Sequence, residues 1–294
     1  MLAMIAFASN SLLCRAALRD TGIDAASFTF IRIVSGAIAL FLISFAAAVS
    51  DRRDNPIGAH KTRPQGTWLS AFALFAYAAA FSFAYNTLSA GTGALLLFGA
   101  VQATMIFWGV RKGERLDRIQ ILGVSVAIAG LVVLVLPGLS APGLLGSFLM
   151  LSAGVAWGIY SLRGKSTRDA IAATAGNFIR SVPFAAVMSA VALPSIRLNG
   201  TGLVYAIISG AITSGLGYVI WYGALPHLNN ASAATVQLSV PVLAATGGII
   251  LLGEPITLRY VVASIAVLGG IALVVVEKEH LRPRSLNSRL DVRR

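Results

Sequence analysis

Charged residues are scarce in this sequence. Only 12% of its 294 residues are Asp, Glu, Lys or Arg, whereas a soluble protein of this length carries about a quarter. So few charges cannot coat a globule in water, and 57% of the residues are hydrophobic. The composition therefore predicts an all-α membrane protein, most of whose surface faces lipid.

Chemically reactive residues are also missing from the apolar segments. All eleven acidic residues lie in connections, at span ends or in the tail, and His60, His227 and His280 lie outside the spans. The single cysteine, Cys14, excludes a disulfide framework and a Cys-based zinc site within one chain. There is no H-E-x-x-H motif and no Walker-type glycine loop. We therefore expect no enzyme activity, no metal, no cofactor and no buried proton relay.

Ten apolar segments approach the roughly 20 residues that a membrane-spanning helix needs. The longest connection, 50–66, is charged and contains two prolines, and the tail beyond 278 is basic. The predicted spans are 2–18, 25–49, 67–88, 91–111, 118–136, 143–162, 170–192, 200–225, 231–252 and 258–277.

The basic residues are distributed unevenly between the two sides that these spans define. Seventeen Lys and Arg residues fall on the side that holds both termini, and four fall on the other side. The positive-inside rule then predicts an inner (plasma) membrane protein with both termini in the cytoplasm. This rule also accounts for the net charge of +12, so we expect the lipid bilayer and no nucleic acid among the partners.

Two stretches of the chain repeat each other. The tripeptide Phe-Ile-Arg at 30–32 returns at 178–180, and the dipeptide Gly-Glu at 113–114 returns at 253–254. Each half holds five spans, an odd number, so the second half enters the membrane from the opposite face. We predict one integral membrane domain made of two inverted five-helix repeats, 1–140 and 141–278, around a central cavity, with a basic cytoplasmic tail at 279–294.

The Gly-Glu turns carry a family resemblance. Each half closes with an apolar helix, a Gly-Glu turn and a last helix that contains glycine, and this arrangement resembles the EamA type of the drug/metabolite transporter superfamily. The residues concerned are Gly113-Glu114-Arg115-Leu116 with Gly123 and Gly130, and Pro241 with Gly253-Glu254-Pro255 and Gly269-Gly270. The first half departs from the pattern in having Val101 where the second has Pro241. We expect Glu114 and Glu254 to act as N-terminal acids of spans five and ten.

The resemblance implies the export or exchange of small metabolites around one central site. Bacterial members of similar build include amino-acid exporters, and relatives elsewhere carry nucleotide sugars, sugar phosphates or cationic drugs. The family leaves the substrate open.

Two arginines inside spans are candidates for the site. A charge within a span is costly and usually faces a cavity or a partner. Arg32 and Arg180 are repeat partners, and either could bind a carboxylate or phosphate, bond to backbone carbonyls, or act in a gate. Asn177 lies on the same helix face as Arg180.

Aromatic and amide side chains complete the candidate set. Aromatic rings fall on single helical faces of spans three, six and eight, where they could line a cavity or anchor at the membrane interface. The amides in spans one, four and nine could bind substrate or link helices. The predicted substrate-binding residues are Asn10, Arg32, Tyr77, Phe81, Gln102, Trp157, Tyr160, Asn177, Arg180, Tyr218, Trp221 and Gln237, with Pro241 as a hinge.

These features predict a secondary transporter that exports amino acids or similar small metabolites by alternating access. We expect a facilitator or exchanger that acts as a monomer on a small-molecule substrate. The alternatives are a transporter of another solute, such as a cationic drug, a nucleotide sugar or a phosphorylated metabolite, and a membrane scaffold or sensor that transports nothing.

Overall fold

The part of the chain that the structure describes contains ten apolar helices and a short 3-10 helix at Leu193–Ser195. This computed structural model describes residues 1–54, 65–138, 141–164, 169–224 and 236–280. Eight helices are long and apolar enough to cross a membrane, and α3 and α9 are shorter apolar helices. The helices are α1 (Leu2–Asp20), α2 (Ala25–Asp54), α3 (Trp68–Ala84), α4 (Ala90–Arg111), α5 (Arg118–Val135), α6 (Leu144–Gly164), α7 (Ala170–Val191), α8 (Gly200–Ala224), α9 (Ser239–Leu252) and α10 (Leu258–His280).

Polar side chains determine where several of the helices begin. Each accepts a hydrogen bond from a backbone N–H in the first turn, and such a bond satisfies a donor that has no partner within the helix. These N-caps are Thr67 before α3, Ser89 before α4, Asp117 before α5, Asp169 before α7 and Asn199 before α8. The predicted starts of these five spans agree with the structure to within one residue.

Three spans differ from the prediction by four residues or more, and the first is α2, which continues to Asp54 instead of ending at 49. Helix α3 ends at Ala84 rather than at 88, because the chain turns before Ser89 caps α4. The span predicted at 231–252 is continuous helix only over Ser239–Leu252, with a turn at Leu238, and its first residues lie outside the described ranges. Pro241 explains the turn, since proline has no N–H to donate to the carbonyl of residue 237. Pro241 therefore lies in the first turn of α9 and not in mid-helix.

The two Gly-Glu turns have similar backbone geometry. Gly113 and Gly253 have φ values of 94° and 61°, in the left-handed region that glycine adopts without strain. The N–H of the following glutamate donates to a carbonyl near the end of the preceding helix in both turns, to Gly109 for Glu114 and to Gly248 for Glu254. The repeat in the sequence thus corresponds to two similar turns, although the bond reaches five residues back in the first and six in the second.

The expected role of Glu254 at the start of α10 is wrong, and the residue that caps α5 is not Glu114. Asp117 caps α5, and the hydroxyl of Thr257 accepts the Tyr260 N–H at the start of α10. These two N-caps are themselves 140 residues apart, the spacing of the Gly-Glu turns. The Glu254 carboxylate instead accepts the N–H of Ala90, at the start of α4.

Helices α5 and α10 pack closely along a line of small residues. A Cβ on Gly123 would lie 2.6 Å from the Gly270 carbonyl oxygen, and a Cβ on Gly130 would lie 3.1 Å from the Ala263 carbonyl oxygen. The repeat spacing of 140 residues pairs Gly123 with Ala263 and Gly130 with Gly270. The two contacts therefore exchange with each other, as a pseudo-two-fold relation between the halves requires.

The two halves of the chain interlock through an exchange of their first helices. Helix α1 packs on α8 and α9 of the second half, while α6, the first helix of the second half, packs on α3 and α4. Helix α2 packs on α7 and on α8, and α9 packs on α4 as well as on α1, so it lies between the other helices of both groups defined next. We refer below to the α1/α8/α9 group and the α3/α4/α6 group, because these packed units differ from the two halves of the sequence.

The centre of α8 departs from regular α-helix. Residues Ser209–Leu216 are π-helical, with each N–H bonded to the carbonyl five residues before it. Gly210 lies so close to the Arg32 carbonyl on α2 that a side chain has no room there. Short π-helical stretches inside helices frequently occur at functional sites.

The helices define two ends of the molecule. We call the end that carries the α2–α3, α4–α5 and α6–α7 connections the basic end, after the basic residues of those connections. The opposite end carries the α1–α2, α3–α4, α5–α6, α7–α8 and α9–α10 connections, and we call it the Glu254 end.

Candidate functional site

Four aromatic rings from three helices meet in the interior. Tyr77 and Phe81 on α3 have ring centroids 5.4 Å apart, and the Trp157 ring on α6 lies 4.7 Å from that of Tyr77. The Tyr218 ring on α8 stacks on Trp157 at 5.2 Å with an interplanar angle of 26°. The cluster thus connects the α3/α4/α6 group with the α1/α8/α9 group.

A small cavity lies beside this cluster. Its volume is about 30 Å³, enough for a water molecule but not for an amino acid. It is lined by Phe7, Asn10, Ser11, Tyr77, Phe81, Leu97, Phe98, Trp157, Thr213, Ser214, Tyr218 and Gln237. The lining is largely aromatic, with amides and hydroxyls on one side and no charged group among the described residues. We call this space the central cavity.

Arg32 lies behind the aromatic lining of the central cavity. Its side chain on α2 is buried, Nη2 donates to the Tyr77 hydroxyl at 3.1 Å, and the guanidinium carbon lies 4.9 Å from the Phe81 ring centroid. Its Nη1 is buried without any hydrogen-bond partner. An unpaired buried donor on a charged group is costly, so this atom is a candidate to receive an acceptor from a ligand.

The amide of Asn10 is held by hydroxyls of the π-helical segment. Asn10 Oδ1 on α1 accepts hydrogen bonds from Ser209 Oγ at 2.5 Å and from Thr213 Oγ1 at 3.3 Å. The π-helical turn thereby brings Ser209 and Thr213 to the same amide oxygen. These bonds fix polar groups in the lining of the central cavity.

A second, larger cavity lies at the basic end. Its volume is about 370 Å³, within the range of pockets that hold small organic ligands. It is lined by Gln65, Gly66, Thr67, Ser70, Tyr160, Arg163, Gly164, Ala170, Ala173, Thr174, Asn177 and Tyr222. The Tyr160 ring lies 5.4 Å from Trp157, and the Tyr222 ring lies 6.2 Å from Tyr218. The aromatic cluster therefore separates this basic-end cavity from the central one.

Asn177 bridges the wall of the basic-end cavity. Its Oδ1 accepts the Thr67 N–H at 3.0 Å and its Nδ2 donates to the Tyr160 hydroxyl at 3.5 Å. Arg163 Nε donates to Ser70 Oγ at 3.0 Å on the same wall. The start of α3 is thus attached to α6 and α7 at this end.

Arg180 is placed differently from its repeat partner Arg32. Its Nη1 donates to two backbone carbonyls, Gly176 at 3.0 Å and Gln65 at 3.4 Å, and it lines neither cavity. This is the backbone-bonding alternative considered for the pair from sequence. Arg32 and Arg180 therefore occupy different environments in this conformation.

The other predicted residues fall into three places. Asn10, Tyr77, Phe81, Trp157, Tyr218 and Gln237 line the central cavity. Tyr160 and Asn177 line the basic-end cavity. Gln102, Trp221 and Pro241 are buried but line neither.

Sequence reasoning missed six residues of the central cavity. They are Phe7, Ser11, Leu97, Phe98, Thr213 and Ser214. The run of Ser, Thr and Gly between 209 and 217 in an otherwise apolar span was an available signal. Small polar residues inside a span allow close helix approach and hydrogen bonds between helices.

Nothing in the described ranges resembles a metal site. No group of three or more His, Cys, Asp or Glu residues lies close enough to hold an ion there.

The comparisons with known proteins extend over the whole helical region. The EamA-like transporter family matches residues 1–136 and 144–276. An uncharacterised protein of Pseudomonas aeruginosa is 54% identical over 93% of this chain and 92% of its own length. A crystal structure with 19% identity has the same fold, with a TM-score of 0.63 over 95% of this chain and 99% of the other.

Two more distant relatives carry functional names. A probable terminal-alkyne amino-acid exporter of Streptantibioticus cattleyicolor is 26% identical over 86% of this chain and 84% of its own length. A probable amino-acid metabolite efflux pump of Salmonella typhimurium is 26% identical over 63% of this chain and 67% of its own length.

Ten apolar helices around buried polar and aromatic cavities define a multi-pass membrane protein of the transporter type. The chain belongs to the EamA-like transporter family, and the resemblance to the drug/metabolite transporter superfamily seen in the sequence is confirmed.

Proposed function

We propose that this protein exports amino acids or similar small zwitterions across the cytoplasmic membrane. The observation that carries the proposal is the buried Arg32 guanidinium, whose Nη1 has no partner and which lies behind the aromatic lining of the central cavity. A carboxylate is the natural acceptor for such a donor, because charge-assisted hydrogen bonds are strong and guanidinium geometry suits them. The names of the two distant relatives support the same class of solute.

The aromatic rings supply the other half of the recognition. An ammonium group can lie against the faces of Tyr77, Trp157 or Tyr218, which attract a cation through the ring quadrupole. No acid lines the central cavity among the described residues, so a solute that is only cationic would meet Arg32 without a counter-charge. A zwitterion satisfies both the arginine and the rings.

The cavity volumes support alternating access. At about 30 Å³ the central cavity cannot hold the proposed solute, whereas the basic-end cavity of about 370 Å³ can. With the cytoplasmic termini predicted from the positive-inside rule, the basic end faces the cytoplasm. A cavity on that side is where an exporter would receive its solute, and the aromatic rings must separate before the solute reaches Arg32. Pro241, beside the turn that precedes α9, is a suitable hinge for that movement.

The energy source proposed is the gradient of the solute itself or of a second solute in exchange. The spans, over the residues that the structure describes, hold no buried acid or histidine that could carry a proton between the two sides. We therefore propose a facilitator or exchanger that functions as a monomer.

Purified protein in liposomes tests the substrate class. Counterflow would be measured for a panel of amino acids, nucleotide sugars and cationic dyes, with and without a pH gradient. We expect flux of amino acids that persists without the gradient, and no flux of amino-acid amides, which lack the carboxylate. Flux of nucleotide sugars or dyes alone would establish the other solute class, and flux strictly dependent on protons would contradict the proposed coupling.

The arginine pair tests the proposed site. Arg32→Gln should raise the half-saturation concentration for amino acids by about tenfold or more, because it removes a charged donor. Arg180→Gln is the matched control, since this arginine bonds to backbone carbonyls, and it should retain affinity. Equal losses of amino-acid affinity in both variants would contradict the proposed contact between Arg32 and the substrate carboxylate.

A further inference from the structure

At the Glu254 end of the molecule, a partly buried network around Arg15 joins three helices. On α1, Arg15 Nε donates to Glu254 Oε1 at 3.2 Å, and Nη1 donates to the Tyr85 carbonyl at 2.9 Å and to the Asn86 carbonyl at 3.2 Å. The side chain of Arg15 is 15% exposed and that of Glu254 is 8% exposed. One guanidinium thus holds the α9–α10 turn and the α3–α4 turn together.

Glu254 is bonded on its other side to the start of α4. Both carboxylate oxygens accept the Ala90 N–H, at 3.1 and 2.8 Å. A carboxylate at a helix N-terminus is stabilised by the unpaired N–H groups and the helix dipole there. The carboxylate also lies against α9 at Gly248, where a Cβ would be 2.5 Å from Oε2. Its position is therefore defined by the α9–α10 turn, α1 and α4 together.

The network crosses between the two packed groups. Arg15 belongs to the α1/α8/α9 group, Glu254 follows α9 directly, and Tyr85, Asn86 and Ala90 lie at the junction of α3 and α4. Ser11, about one turn before Arg15 on α1, lines the central cavity. A path from the central cavity to this end must separate α1 from the α3–α4 turn, so these bonds must break.

A neighbouring arginine makes the corresponding bond within a single group. Arg19, one turn further along α1, donates to the Leu252 carbonyl at the end of α9 at 2.9 Å and to Asp20. Helices α1 and α9 belong to the same group, so this bond can persist while the groups move apart. The two arginines share a helix and an end of the molecule but differ in what they connect.

We propose that Arg15 and Glu254 form a latch that holds the Glu254 end closed and opens in each transport cycle. The inference rests on the proposed alternating access. Arg15 and Glu254 touch no solute in it; they are positioning residues that set the balance between two conformations. Their repeat partners, Arg163 and Glu114, are the residues that the inverted repeat assigns to the same task at the basic end.

The test measures access to the central cavity from the outside. Cys14→Ser provides a background without cysteine, Ser11→Cys places a thiol in the cavity wall, and a membrane-impermeant maleimide is added to vesicles that expose the Glu254 end. Glu254→Gln should raise the labelling rate on the order of tenfold, a usual size for the coupling of one interaction to a two-state equilibrium. Arg15→Lys, which keeps the charge but loses the forked geometry, should give a smaller increase.

The controls separate a latch from general loosening. Arg19→Gln should leave the labelling rate unchanged. Arg15→Gln and Glu254→Gln combined should raise labelling no more than either alone, since both remove one interaction. Unchanged labelling in correctly assembled Glu254→Gln protein, or equal increases in Glu254→Gln and Arg19→Gln, would overturn the latch.

The result is independent of the substrate assignment. Labelling that responds as expected in a protein without amino-acid flux would leave the latch standing and refute the proposed substrate. Amino-acid flux in a protein whose labelling rate does not change would support the proposed substrate and refute the latch.

Discussion

Single side chains hold the connections of this protein in place, and Asp24 is a clear case. Its Oδ1 accepts the Ser27 N–H at 2.9 Å and caps α2, while its Oδ2 accepts the Arg197 N–H at 2.8 Å from the α7–α8 connection. Burial alone would raise the pKa of this carboxyl, but the hydrogen bonds from Arg197 and Ser27 outweigh it, and the pKa is lowered from 3.8. Two connections from different halves are thus joined by one ionised group.

The lowered pKa of Asp24 predicts a pH-dependent contribution to stability. A carboxyl whose pKa is lower in the folded state stabilises the fold above the unfolded pKa of 3.8, and this contribution is lost as the pH falls through the folded value. Asp24→Asn should therefore lower the midpoint of thermal unfolding at neutral pH, and the difference from the parent should shrink on acidification below about pH 4. Thermal unfolding in detergent across that range measures it, and a difference independent of pH would contradict this role.

At the scale of helices, α5 and α10 pack closely along their length. Gly123, Gly130 and Gly270 bring the two backbones together, with a Cβ on Gly270 only 2.7 Å from the Ala127 nitrogen. Between membrane helices such contacts replace the hydrophobic drive that water supplies elsewhere, because lipid is as apolar as the side chains. Close packing holds the two helices together, and their association depends on the absence of a side chain at these three glycines.

Adding one methyl group tests this contact. Gly270→Ala should destabilise the protein by about 1–3 kcal/mol, the usual cost of overpacking a filled interface. A Cβ on its neighbour Gly269 would meet no atom within 4 Å, so Gly269→Ala should be neutral or slightly stabilising through helix propensity. The midpoints of thermal unfolding of the two variants are compared in the same detergent. Equal shifts in both variants would refute the steric argument.

At the scale of the whole molecule, the moving units should be the packed groups and not the halves of the sequence. Helices α1 and α6 are exchanged between the halves, so relative motion of residues 1–140 against 141–278 would tear α1 from α8 and α9. The α1/α8/α9 group and the α3/α4/α6 group meet at the aromatic cluster and at the Arg15 network. A rocking motion between these two groups would change the contacts of the aromatic cluster and of the Arg15 network at the same time.

Two matched cross-links distinguish these possibilities. A Cβ on Gly91 of α4 would be 2.9 Å from Cβ of Ala245 on α9, across the groups, and a Cβ on Gly158 of α6 would be 2.8 Å from Cβ of Thr104 on α4, within one group. In the Cys14→Ser background, oxidation of a Gly91→Cys, Ala245→Cys pair should block counterflow, and reduction should restore it. Oxidation of a Gly158→Cys, Thr104→Cys pair should leave counterflow intact. Block of counterflow by both cross-links would assign the motion to the halves of the sequence, because each pair joins residues 1–140 to residues 141–278.

The positions of helices could be predicted from sequence, but the surroundings of side chains could not. Apolar runs and N-caps such as Asp117 and Asn199 define where helices begin, because both signals are local. Helical spacing likewise placed Tyr77 and Phe81 on one face. Arg32 and Arg180 are equivalent in sequence, yet one lies behind aromatic rings and the other bonds to the carbonyls of Gly176 and Gln65. That difference depends on the rotation and tilt of neighbouring helices, which spacing within one helix does not report.

The π-helical segment of α8 makes the length of this helix as important as its composition. Each residue of an α-helix turns the following side chains by about 100°, and a π-helical turn holds more residues than an α-helical one. Deleting one residue between Ser209 and Leu216 would let the segment relax to α-helix and rotate Tyr218 and Trp221 about the helix axis. Related genes could exchange many apolar residues here freely, but an insertion or deletion of a single codon would turn the aromatic face away from the solute path.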